Sequence, residues 1–242
     1  GSVRRKTRHF LDFITIVSFG RSGSTALQAA LNAHPHTIVR GENYGAFVGL
    51  DRYVRSISEA ADRHHSGSST HPWFGTARLD PASVVSDIRR HAVDHILRPK
   101  PDTRWLGFKE VRYEVGHIED ADRLADHLLF LNLLFPGIRY VFNIRDPRKA
   151  ASSGWWRDHP DAVVALETTV TNLREAFGIV DWVLGSGRAA WLVHDEWMAN
   201  ASLVTSGLAE IGFPANHARV ASALTEHLGH GGNREMGGQG HG

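Results

Sequence analysis

Five apolar runs rich in β-branched and aromatic residues punctuate the chain, at residues 13–19, 37–40, 104–109, 139–144 and 190–194, and each reads as a strand. Between and after them, apolar positions recur at helical spacing over residues 24–33, 82–97, 122–134, 162–184 and 202–211, with Pro81 and Pro147 suited to first-turn positions. Strand followed by helix, repeated down the chain, predicts a single α/β domain whose central parallel sheet is flanked by helices. Two stretches break the rhythm. Residues 63–80 are polar and turn-rich, which suits a lid or a solvated loop, and from residue 229 onward glycine is too frequent to hold a regular element. The expected organisation is therefore a lead-in over 1–12, a domain over 13–228 and a glycine-rich tail with a mobile end over 229–242.

Composition narrows the class. Of 242 residues, 42% are hydrophobic and 22% charged, which suits a folded globular domain and argues against disorder or a fibrous repeat. Lys and Arg total 27 against 26 Asp and Glu, a net charge of +1 with no dense basic stripe, so the chain carries no electrostatic footprint for nucleic acid. With no cysteine, disulfides and thiolate metal sites are excluded. No apolar run approaches the roughly 20 residues that span a bilayer, and Gly1-Ser2-Val3-Arg4-Arg5-Lys6 lacks a following signal-peptide core. Gly1-Ser2 resembles an expression remnant, and a soluble, cytoplasmic protein is expected.

The first strand runs into Gly20-Arg21-Ser22-Gly23-Ser24-Thr25, and Ala26-Leu27-Gln28-Ala29-Ala30-Leu31 continues as a strong helix former. Strand, glycine loop and helix make a phosphate cradle: glycines let the backbone curl so that N–H groups converge on an anion at the positive end of the helix dipole. A nucleoside-triphosphate loop would carry lysine before its last hydroxyl residue, and that lysine is missing. The cation is instead Arg21, whose fork can engage a charged oxygen at two points. A second anion site is expected where the strand 139–144 ends in Arg145-Asp146-Pro147-Arg148-Lys149-Ala150-Ala151-Ser152-Ser153, with Arg145 at the carboxyl end of the strand and Ser153 about two turns into the helix that Pro147 opens. Arg145 and Ser153 could clamp one phosphate.

Together these two segments resemble the sulfotransferase superfamily, whose donor is 3′-phosphoadenosine 5′-phosphosulfate. Residues Gly20, Arg21, Ser22, Gly23, Ser24 and Thr25 look like the family's 5′-phosphosulfate loop, and Arg145 and Ser153 keep the arginine-to-serine spacing that binds the 3′-phosphate. Asn32-Ala33-His34-Pro35-His36 followed by Gly41-Glu42 resembles the branch that includes protein-tyrosine and several bacterial enzymes, in which a glutamate after the second strand is the base; the resemblance makes Glu42 the general base. Gly107-Phe108-Lys109-Glu110 resembles a bacterial segment whose lysine approaches the bridging oxygen of the donor, which gives Lys109 a catalytic role; the alternative is a surface cation paired with Glu110 or Glu114.

The resemblance implies sulfonate transfer to a hydroxyl of a small-molecule, carbohydrate or glycolipid acceptor, with adenosine 3′,5′-bisphosphate as product, no metal, no nucleic acid and no membrane span. The competing readings are a nucleotide or small-molecule kinase using ATP and magnesium, and a catalytically inactive anion-binding module. Should Glu42 not be the base, His34, His36 and His71 come next. Tyr44, Phe47, Trp73, Phe74, Trp155 and Trp156 are candidate walls of the cleft. The remaining patterns are weak. His91 and His95, four apart, read as exposed helix residues, His64 and His65 as loop residues, and Asn200-Ala201-Ser202 as a chance glycosylation match.

Overall fold

The computed structural model describes residues 11–63 and 67–231, the last five by backbone alone. Five strands, β1 (Asp12–Val17), β2 (Thr37–Arg40), β3 (Trp105–Glu110), β4 (Arg139–Ile144) and β5 (Ala189–Val193), form one parallel sheet in the order β2-β3-β1-β4-β5. Every strand of the sequence reading is present, displaced by at most two residues at an end. The helices are α1 (Ser24–Asn32), α2 (Ala46–Ala61), α3 (Pro81–His91), α4 (Ala121–Leu134), α5 (Pro147–Ala151), α6 (Ala162–Leu184), α7 (His194–Ala199), α8 (Ser202–Glu210) and α9 (His217–Gly231).

The period of two along β1 builds both layers. Phe13 and Val17 face a core shared with α2, α3, α4 and α6, while Ile14 and Ile16 face a second core shared with α1, α8 and α9. Being covered on both sides, β1 is apolar almost throughout. The centre of the sheet tolerates little change: a Cβ on Gly107 of β3 would overlap the carbonyl oxygen of Ile14. Because β1 lies between β3 and β4, the chain leaves it in one direction and returns past it in the other. The loops after β1 and β4 therefore flank the crevice at the carboxyl ends of the strands, where open parallel sheets take their ligands.

Several elements differ from the sequence reading. The pattern over 82–97 is two pieces, α3 and a wider π-type turn at Ala92–Leu97. Pro147 does open a helix, with the Asp146 carboxylate accepting from the N–H groups of Arg148 and Lys149, but α5 stops at Ala151. Ser153 is thus not two turns inside a helix; it sits beyond the end of α5 in extended backbone, ahead of the short 3-10 turn Gly154–Asp158. The glycines from residue 229 do not at once end regular structure, since α9 reaches Gly231. The expectations for 1–10, for His64 and His65, and for 232–242 lie outside the described residues. Of the 63–80 stretch, residues 67–80 form turns, with a 3-10 turn at Thr76–Arg78. Among the described residues no helix is long and apolar enough to cross a membrane.

Candidate active site

The loop between β1 and α1 is held from below by a buried polar knot. Ser18 Oγ lies 2.6 Å from Ser22 Oγ and donates to the Asn143 carbonyl at 2.6 Å, while Asn143 Nδ2 donates to the Ser22 carbonyl at 2.9 Å. The Trp197 indole N–H in turn donates to Asn143 Oδ1 at 3.0 Å. Elements β4 and α7 thereby fix the curvature of a loop that leaves β1. Within it Arg21 and Gly23 both take positive φ, 68° and 85°, so backbone amides are turned toward one side. Gly23 precedes α1 and no side chain caps the helix, which leaves the first amides of α1 open to an anion.

Arg21 joins the two predicted motifs. Its Nε donates to Ser153 Oγ at 2.9 Å, and its carbonyl accepts from Arg145 Nη1 at 3.0 Å. Two segments more than a hundred residues apart thus form one cationic cluster at adjacent strand ends. Arg145 Nε is buried without a partner, a donor that a phosphate oxygen would satisfy. An uncapped helix start and an orphaned guanidinium N–H, beside a second arginine, give a corner rich in donors for anionic oxygens.

On the other flank, Lys109 is buried at the end of β3, and its ammonium donates to Glu42 Oε1 at 2.7 Å and to Thr25 Oγ1 at 3.3 Å. The alternative of a surface lysine paired with Glu110 or Glu114 is therefore wrong, since β3 is central and covered on both faces. Glu110 and Glu114 have other work. The buried Glu110 carboxylate accepts from the N–H groups of Gly45, Val111 and Arg112. Glu114 Oε1 accepts from the Gly20 N–H at 2.8 Å. Burial pushes the Glu114 carboxyl above its ordinary range and Glu42 adds to this, although the Gly20 N–H, His117 and Arg112 oppose it.

Sequence reasoning missed His194, the first residue after β5. Its ring packs on the loop so closely that a Cβ on Gly23 would strike it. Its Nδ1 is buried without a partner, and burial, reinforced by Arg145, pushes its pKa down. A usable signal was its position: it ends a strand at the same edge of the sheet as Gly20, Glu42 and Arg145. The three reserve histidines are engaged elsewhere. His34 packs edge-on to Phe213, His36 pairs with Asp102 at 3.1 Å, and His71 accepts from the Trp73 N–H. Of the aromatic residues, Trp155 lies over Gly20 and Tyr44 follows Glu42, whereas Phe47 and Trp156 are buried. Among the described residues no group of three or more histidines and carboxylates could hold a metal ion.

The family model described as the sulfotransferase family matches residues 13–158, more than half of the chain. The chain belongs to the sulfotransferase family. This sulfotransferase-family enzyme is similar in fold to the sulfotransferase domain from the Synechococcus PCC 7002 olefin synthase, with a TM-score of 0.52 and 18% identity over 89% of this chain and 78% of that one. It is likewise similar to the sulfotransferase domain from the curacin biosynthetic pathway, with a TM-score of 0.50 and 12% identity over the same shares. Comparison with curated proteins gives no match. The matched stretch of the sulfotransferase contains Gly20 to Thr25, Glu42, Lys109, Arg145 and Ser153, but neither His194 nor Trp197.

Proposed function

We infer that the protein transfers a sulfonate from 3′-phosphoadenosine 5′-phosphosulfate to a hydroxyl of a small-molecule, carbohydrate or glycolipid acceptor, with a glutamate as base. The observation that carries this reading is the stitching of Arg21 to both Ser153 and Arg145. On this reading Arg21, Gly23, Ser24 and Thr25 hold the 5′ side of the donor, with Gly20 and Ser22 shaping the loop, and Arg145 with Ser153 holds the 3′-phosphate. When bound, the donor supplies the sulfonate and a nucleotide leaving group.

The chain's part is positioning, charge balance and one proton. Glu42 is half exposed toward solvent, with one carboxylate oxygen on Lys109. Its other oxygen is free to accept the proton of an arriving hydroxyl. Lys109 touches both Glu42 and Thr25, so its cation stands between the base and the donor loop and offsets negative charge on either side of the transfer. Asn143 and Ser18 hold the loop at Ser22, which sets the curve of the Gly20 to Thr25 backbone.

Melting curves with adenosine 3′,5′-bisphosphate and with ATP plus magnesium test the donor assignment. At a hundredfold excess over its Kd a ligand adds about 2.7 kcal/mol, or roughly 5–10 °C for a chain of this size. The bisphosphate is expected to give that shift without magnesium; a larger shift from ATP with magnesium overturns the reading. Once an acceptor is in hand, Glu42→Gln should cut the single-turnover rate about 10²–10⁴-fold with donor affinity nearly unchanged. A near wild-type rate would remove Glu42 as base.

A further inference from the structure

Two residues after Glu42 the chain enters the wall of a cavity of about 280 Å³, lined by Tyr44, Gly45, Val48, Arg112 and His117. Arg112 dominates it. Its guanidinium stacks 3.7 Å from the centroid of the Tyr44 ring, and its Nη1 lies 3.0 Å from His117 Nε2. Arg112 Nε is buried without a hydrogen-bond partner, and among the described residues no carboxylate comes within ion-pair distance of this guanidinium. A half-buried cation stacked on an aromatic face, balanced only at longer range by the buried Glu114 carboxyl, can take an anion.

The pocket is also rigidly built, and from both sides by one group. The Glu110 carboxylate accepts from the N–H of Gly45 on one wall and from the N–H of Arg112 on the other. Arg112 is further paired through its backbone with Phe19, immediately before the donor loop. Tyr44 holds a positive φ of 59° while 80% exposed, a conformation costly for an aromatic residue, and nothing in the apolar core requires it. It does put the ring against the guanidinium.

We propose that this pocket receives a carboxylate carried by the acceptor, held by Arg112 against Tyr44, so that the hydroxyl to be modified is presented to Glu42. The proposal rests on the sulfotransfer reading and specifies its substrate class. A carboxylate is favoured over a phosphate dianion because the subsite offers a single guanidinium, whose charge the Glu114 carboxyl already partly offsets. Planar, singly charged and able to take two parallel N–H donors, a carboxylate suits a single arginine.

The test uses matched probes: 4-hydroxybenzoate and its neutral methyl ester, titrated calorimetrically into the full chain with and without adenosine 3′,5′-bisphosphate. The acid is expected to bind at least tenfold more tightly than the ester. Arg112→Gln should bring the two affinities within about twofold of each other, and Arg112→Lys should restore part of the difference. Since Tyr44 is exposed, Tyr44→Ala tests the same pocket without threatening the fold, and the preference should fall there too. Equal affinities in the wild type, absence of binding by both probes, or a preference that survives both Arg112→Gln and Tyr44→Ala would overturn the proposal. The nucleotide arm separates the two readings: no bisphosphate binding alongside a clear acid preference sinks the donor assignment alone, and the converse sinks only the carboxylate subsite.

Discussion

Arg145 carries the most discriminating single-residue prediction. Its buried, unpartnered Nε and its bond to the Arg21 carbonyl make it the group a 3′-phosphate would engage. Arg145→Ala should weaken adenosine 3′,5′-bisphosphate by about 1.5–3 kcal/mol, the range for hydrogen bonds to charged groups, while adenosine 5′-phosphate changes far less. Calorimetry with both ligands decides it, and equal losses would be the contrary result. Gly23→Ala should be worse than its size suggests: left-handed backbone costs an alanine about 1–2 kcal/mol, and the new methyl must also displace His194. A lowered Tm together with lost bisphosphate affinity is the expected signature. Arg145 and Ser153 stand out in the sequence because their spacing is local, and both touch Arg21, although Ser153 lies past the end of α5 rather than within a helix. His194 does not stand out, since only the sheet order, with β5 beside β4 and β4 beside β1, brings it to Gly23, and no short window of sequence encodes that. Lys109 was half legible: its type was visible, but its partner Glu42 is 67 residues away.

Among the elements, α2 was not foreseen even though Phe47, Leu50, Val54 and Ile57 recur at helical spacing. Its fully buried stripe of Phe47, Asp51 and Val54 has a carboxylate at the centre. Asp51 is tolerated there because Arg55, Arg123 and His127 all reach it, at 2.8, 3.0 and 3.1 Å. The long α6 matched its predicted bounds because its apolar positions recur over 23 residues without such an interruption. The Asp51 cluster also sets a pH dependence. Burial, with Arg123 and Arg55, holds the pKa of His127 below its usual value despite the Asp51 carboxylate, and His194 is depressed as well. Below pH 6.5 the unfolded chain therefore binds protons that these two histidines refuse when folded, and stability falls as the pH drops. Asp51, whose carboxyl His127 and Arg55 hold below the usual carboxylate range in spite of its desolvation, adds a further loss in more acid solution. Urea unfolding at pH 7.5 and 5.5 should show the drop, and His127→Asn should shrink it; a flat profile would contradict the assignment.

For the molecule as a whole, the order β2-β3-β1-β4-β5 gathers the donor loop, Glu42, Lys109 and Arg145 at one edge of a single sheet. Fold class was readable because five strands buried on both faces leave five apolar runs; strand order was not, because parallel strands carry no turn signal that names their neighbours. The polar knot under the loop ties the site to the last third of the chain: Asn143 is anchored by Trp197, and β4 pairs with β5 from Tyr140 to Ile144. The family-matched stretch ends at residue 158, short of both. A fragment cut there would keep every residue of the two motifs, yet expose one flank of β4 and strip α6 from the core. Such a fragment should show no cooperative melting transition and no bisphosphate binding, and a sharp melt would refute this. The two-motif signature is consequently not portable: grafted onto another sheet as a cassette, it would leave behind the buttress that gives the loop its shape.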